Sequence, residues 1–98
     1  MAEIRWTPQA ADDIETITEF ISADSPRYAQ LFAMDIFSAV EVLVDFPESG
    51  RIVPEMNDHA LREVILGNYR IVYRFRSSVV EILTVYHGAR LLNMSYLK

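Results

Sequence analysis

Leu61–His87 reads LREVILGNYRIVYRFRSSVVEILTVYH, and the rest of the chain is arranged around it. Three short runs, Leu61–Leu66, Tyr69–Arg76 and Val79–His87, are rich in Val, Ile, Leu, Tyr and Phe, and Gly67-Asn68 and Ser77-Ser78 separate them. Runs of that length, broken by two-residue turn signals, predict an antiparallel meander of three strands. Two-residue loops fix the register: Leu66 opposite Tyr69, Arg62 opposite Tyr73, Arg76 opposite Val79, Arg74 opposite Glu81, and Arg70 opposite Val85.

Alternation along each strand then sorts the side chains into two faces. One holds Val64, Leu66, Tyr69, Ile71, Tyr73, Phe75, Val80, Ile82 and Tyr86, with Arg62 as its only charge, and requires an apolar cover. The other mixes Glu63, Arg70, Arg74, Arg76, Glu81 and His87 with Leu61, Ile65, Val72, Leu83 and Val85. Such a face suits a ligand or partner. It equally suits the solvated side of a half-buried sheet, with Arg74–Glu81 a cross-strand pair contributing about 0.2–1 kcal/mol.

Upstream, Glu3–Trp6 alternates as a short strand expected at an edge of the meander. Thr7-Pro8 is a cap followed by proline at the first helical position, and it opens a helix expected to run to about Ser22, with Ala10, Ile14, Ile17 and Ile21 at helical spacing. Asp12, Asp13 and Glu15 near its start are read as helix-start and solvated residues, favoured there by the helix dipole. Ser25-Pro26 repeats the signal and opens a second helix expected to reach Phe46. Its apolar stripe, from Tyr28 and Leu31 to Val44 and Phe46, is wider than one side of a small sheet needs. Either the helix is sandwiched in the core, or part of it, such as Leu31, Met34 and Phe37, meets a partner or a second copy of the chain. Pro47–Ala60 carries two prolines, one glycine and no period, and is expected to be a long loop with Arg51, Glu55 and His59 as its polar candidates. After Gly88, Ala89–Leu97 is expected to form a short helical tail carrying Arg90.

The 98 residues suffice for one domain, 1–98, with a single core. The fold class is α+β: an N-terminal strand, then a two-helix antiparallel hairpin packed on one face of an antiparallel sheet. With no cysteine, thiol chemistry and disulfides are excluded, and His59 and His87 stand in no metal-ligand spacing, so neither metal nor cofactor is expected. The sequence carries no signal core and no run long enough to span a bilayer, which makes the cytoplasm the expected location and a membrane partner unexpected. The net charge of −5 divides unevenly. Residues 1–50 hold ten acids against two arginines (−8), and residues 51–98 hold four acids against seven basic groups (+3). Eight of the nine basic residues are arginine, which favours planar, bidentate recognition of a carboxylate or phosphate over a diffuse cationic field.

In that register Arg70 and His87 lie diagonally on one face, within reach of one small anion. An imidazole beside a guanidinium can cleave a phosphodiester, the histidine as general acid or base and the arginine holding the non-bridging oxygens. Glu81 or Glu63 would supply the complementary carboxylate. A hydrogen-bonded structural histidine at a strand end explains the same residue.

The succession IRWTPQAADDIETITEFI, FPESGR, LREVILGNYRIVYRF and VEILTVYHGAR resembles the RelE/ParE superfamily of toxins from type II toxin–antitoxin (plasmid stabilisation) operons, over nearly the whole chain. The resemblance implies a cognate antitoxin as partner, laid over the sheet face or the helix hairpin; the surplus apolar residues of the second helix, such as Leu31, Met34 and Phe37, offer it docking points. The resemblance also implies one of two targets. In the mRNA endonuclease branch, which acts at the ribosome, an arginine on the central strand and a histidine near the chain end are catalytic in some members, and Arg70 and His87 match them. The tyrosine that follows such a histidine is Gly88 here, and a net charge of −5 ill suits ribosomal RNA. The DNA gyrase branch resembles this chain in its long helical hairpin, the Phe46–Arg51 start of its loop, and a chain continuing past His87 through Arg90 into an apolar tail. Gyrase inhibition is therefore the favoured reading, with Arg62, Arg74, Arg76 and Arg90 as target contacts. The endonuclease, and a divergent binding module without toxicity, are the alternatives.

Overall fold

The computed structural model describes residues 1–88. The expected tail over 89–97, and Arg90 within it, lie outside the described residues. The elements run β1 (Glu3–Trp6), α1 (Pro8–Asp24), α2 (Pro26–Asp45), β2 (Arg51–Ile52), β3 (Leu61–Leu66), β4 (Tyr69–Arg76) and β5 (Val79–His87). They build the α+β layout read from the sequence, with one sheet of five strands in the order β1-β5-β4-β3-β2. Two features were not legible. β1 joins β5 in parallel, and the long loop contributes β2, which pairs antiparallel with β3 at Arg62 and Glu63.

Both helices begin where the cap-and-proline pairs place them. Thr7 accepts the Ala10 N–H at 3.2 Å, and Ser25 accepts the Tyr28 N–H at 3.2 Å. Ser25 also closes α1, its own N–H reaching the Ile21 carbonyl at 2.8 Å, so one residue ends one helix and starts the next. The main core lies between the helices and the sheet: Ala10, Ile36, Val40 and Leu43 meet Ile71, Tyr73, Val80, Ile82 and Val85. A smaller apolar cluster sits on the other face, where Val53 and Met56 of the loop lie against Leu61, Val72, Leu83 and Tyr86. That face is therefore partly roofed by the chain's own loop rather than bare.

Four of the five expected cross-strand pairs form: Leu66–Tyr69, Arg62–Tyr73, Arg74–Glu81 and Arg76–Val79. The fifth does not. Tyr73 stands opposite Ile82 and Val72 opposite Thr84, so Leu83 is an extra residue, and Arg70 faces Tyr86 instead of Val85. From the bulge onward every side chain of β5 takes the face opposite to the one alternation predicts. Val85 joins the core, Tyr86 moves to the outer face, and His87 pairs with Tyr69.

The bulge is held from α1. β1 pairs with β5 only as far as Ile82, and past that point the strand's far edge needs other partners. The Thr7 hydroxyl donates to the Ile82 carbonyl at 2.7 Å, and the Asp13 carboxylate accepts the Val85 N–H at 3.0 Å and the Thr84 hydroxyl. Asp13 is thus a structural pin and not a solvated acid. No acid occupies the first turn of α1, so the dipole argument for these residues does not apply. Asp13→Ala would leave the N–H of a fully buried residue without an acceptor, and an equilibrium denaturation series is expected to show a loss of about 1–3 kcal/mol.

Candidate functional site

The outer sheet face carries one dense group of charges, centred on Arg70 of β4. Its guanidinium Nε donates to Glu63 Oε1 at 2.6 Å, while Nη1 and Nη2 reach the two oxygens of Glu55 at 3.0 and 2.9 Å. Glu63, on β3, takes Arg51 Nε on its other oxygen. Arg51, Glu63, Arg70 and Glu55 therefore form a continuous chain of alternating charge. Its members are buried very unequally: the side chain of Glu63 is fully enclosed (0% exposed), that of Arg70 nearly so (11%), and that of Glu55 is 35% open. The Tyr86 ring lies 5.4 Å from the guanidinium carbon, close enough for a cation–π contact. The Tyr86 hydroxyl is buried and has no hydrogen-bond partner among the described residues.

The electrostatics follow this geometry. The hydrogen bond from Arg70 holds the Glu55 carboxyl below the usual carboxylate range, against a smaller opposing effect of burial. The same bond to Glu55, aided by Glu63, raises Arg70 further, and burial pushes the Tyr86 phenol up. Glu55 has a folded value below its unfolded one, so its contribution to stability is complete above the ordinary glutamate value of about 4.3. It declines as pH falls below that point and is gone once the folded value is passed. The amide protection factors of residues 53–58, taken relative to the intrinsic exchange rate at each pH, are expected to fall over that acid range, with little change in those of β4 and β5.

The other residues singled out from the sequence divide into three groups. Arg62 reaches over the edge of β3 to the carbonyls of Glu48 and Gly50 at 3.0 and 2.9 Å, and so anchors the start of the loop. Arg74 and Glu81 face each other at 3.7 Å, as the register requires, and Arg76 is exposed at the end of β4. His87 does not join Arg70. It lies edge-on to Tyr69, with centroids 5.4 Å apart, and Tyr69 packs on Phe32 of α2 at 4.9 Å, which puts the imidazole on the helix side of the sheet. The expected Arg70–His87 face is therefore corrected: the bulge at Leu83 places the two side chains on opposite faces. Glu55, Glu63 and Arg51 stood out in the sequence only as separate polar residues. Tyr86 was assigned to the wrong face, since no local signal announces an extra residue within a smooth apolar strand.

Leu31, Met34 and Phe37 are 40%, 56% and 52% exposed, and Tyr28 and Val42 on the same helix and Phe46, which caps it, are exposed as well. Phe37 leans edge-on against Trp6 at 5.4 Å. Near the C-terminal end of α2 a groove of about 490 Å³ opens between Ala39, Val42 and Leu43 and the edge of β3 at Val64–Leu66. β2 covers only the first part of that edge. No helix among the described residues is long and apolar enough to cross a membrane.

These features can be set beside known proteins. Toxin RelE2 of Caulobacter vibrioides is 35% identical over 92 residues, covering 93% of this chain and all of that protein. A solved structure described as a chromosomal ParDE TA system from P. aeruginosa superposes with a TM-score of 0.73 at 22% identity, covering 89% of this chain and 96% of the other, and so shares the fold. The family model described as the ParE toxin of the type II toxin–antitoxin system, parDE, matches residues 4–92, which take in both helices and all five strands apart from Glu3 at the start of β1. The chain belongs to the ParE toxin family of type II toxin–antitoxin systems.

Proposed function

We propose that this toxin arrests growth by inhibiting DNA gyrase in the cytoplasm and that a cognate antitoxin neutralises it. The observation that carries the choice of target is the bulge at Leu83. Cleavage of a phosphodiester by Arg70 and His87 needs both at one phosphate, and here they occupy opposite faces, with Arg70 already engaged by two carboxylates. The net charge of −5 also suits a protein target better than ribosomal RNA. Arg74 and Arg76, at the far end of the outer face, are the target contacts in this reading, with Arg90 beyond the described residues.

The test places purified protein in a gyrase supercoiling assay and, separately, in a translating ribosome system with a reporter mRNA. Loss of supercoiling with intact mRNA is expected. Codon-linked cuts that disappear in His87→Ala would instead establish the endonuclease, and no effect in either assay would leave a binding module.

The antitoxin is assigned to the exposed apolar side of α2, where an amphipathic or extended segment would cover Leu31, Met34 and Phe37. Leu31→Asp and Phe37→Asp are expected to leave folding intact and to weaken the complex at least about tenfold in a titration, roughly 1.4 kcal/mol. Unchanged affinity in both folded variants would move the docking site elsewhere; self-association through the same face would show as a concentration-dependent mass without antitoxin.

A further inference from the structure

The group around Arg70 contains two carboxylates that play different parts. Glu63 is fixed: it is enclosed, it belongs to a central stretch of β3, and both of its oxygens are committed to arginines. Glu55 is not. It stands on the loop, its side chain is one-third open, and the loop backbone around it bonds mainly within itself and to Leu61. The contact it makes is nonetheless the one arginine reserves for recognition, two roughly parallel N–H···O bonds of 3.0 and 2.9 Å to one planar carboxylate. Beside it the Tyr86 hydroxyl is buried with its donor unused among the described residues, although buried polar atoms ordinarily find a partner. A site with a fork filled and an adjacent donor unmatched is shaped for an oxyanion slightly different in position from the one it holds.

We propose that Arg70, with Arg51 and the Tyr86 hydroxyl, is a carboxylate receptor that the chain closes with its own Glu55 and that an acidic side chain of a bound partner polypeptide takes over. It rests on the reading that a polypeptide partner covers part of this toxin, but not on the identity of the target. With Glu55 displaced, Arg51, Arg70 and Glu63 leave one net positive charge, matched to a single carboxylate. The partly buried Met56 and the exposed Ile65 give the same region apolar surface for the backbone that carries it. A polynucleotide is disfavoured by the overall negative charge, which would repel a phosphate backbone at long range.

The experiment follows the Arg70 Nε–H signal by NMR in the intact chain while N-acetylglutamate amide is added, with the neutral glutamine analogue as control. Wild type, Glu55→Gln, Glu55→Asp and Arg70→Lys are compared, with unchanged β3–β5 amide spectra as the check on folding. Glu55→Gln removes the resident charge and Glu55→Asp shortens its reach, so two variants test the same point. Both are expected to saturate at least about tenfold lower in ligand than wild type, with no response to the glutamine analogue, and Arg70→Lys, which lacks the Nε–H and is followed at the Tyr86 backbone amide, is expected to lose the response. Equal titration of wild type and both Glu55 variants would overturn the proposal and leave an ordinary structural ion pair. In a second arm, a short acidic peptide is expected to compete more strongly than an oligoribonucleotide or inorganic phosphate. The reverse order would overturn the polypeptide assignment. Neither arm uses gyrase, ribosomes or antitoxin, so failure here is distinct from failure of the target assays.

Discussion

Arg70→Ala is expected to lower the stability of the folded chain by about 3–5 kcal/mol, the range for breaking a buried ion pair by removing one partner. The cost comes less from the lost bonds than from what remains. Glu63 would stay enclosed with a single arginine, Arg51, whose side chain is mostly in water, and a half-paired carboxylate in that position is strongly disfavoured. Glu55 would also lose both of its bonds, releasing the loop that roofs Val72 and Leu83. A urea denaturation series reads the effect directly. A loss below about 1 kcal/mol would mean that the cluster is solvated and contributes as a surface pair does. Loss of toxicity in Arg70→Ala is therefore evidence for catalysis only once the folded fraction of the variant is known.

Gly50→Val is the second large effect, with an expected loss of about 3 kcal/mol, the upper end of overpacking costs. A β-carbon at this position would stand 2.6 Å from the Tyr73 hydroxyl oxygen and 2.8 Å from the Glu63 carbonyl oxygen. The second is backbone in the middle of the sheet and cannot move aside. The same hydroxyl accepts the Gly50 N–H at 3.0 Å and donates to the Pro47 carbonyl at 2.8 Å, so Tyr73 ties the turn at 47–50 to the core. The Phe-Pro-x-x-Gly-Arg start of the loop thus has a physical reason: proline presents its carbonyl, glycine admits the phenol, and Arg51 begins the strand that reaches Glu63. Calorimetry of Gly50→Val should show the loss, and Gly50→Ala a smaller one.

The parts of the fold with a strong local signal could be read from the chain. Thr7-Pro8 and Ser25-Pro26 mark both helix starts, Gly67-Asn68 and Ser77-Ser78 set both hairpins, and four of five cross-strand pairs follow from loop length alone. What escaped depends on contacts far apart in sequence. Nothing in Val79–His87 indicates an extra residue, since the bulge is fixed by Asp13 and Thr7, some seventy positions upstream. One unpaired residue was enough to move His87 to the other side of the sheet and to bring Tyr86 to Arg70 in its place. The closing of Arg70 by Glu55 was hidden for a related reason. The loop has no period from which its path could be drawn, and the contacts of Val53 and Met56 that hold it over the strands are long-range.

The separation of Arg70 from His87 is the claim on which the functional reading turns, and through-space proton contacts measure it without any activity assay. The His87 ring protons are expected to show cross-peaks to Tyr69, and the Tyr86 ring protons to Arg70 and Leu83. Cross-peaks from the His87 ring to the Arg70 side chain or to Glu55 would contradict the account and restore a shared face on which the endonuclease chemistry could be built.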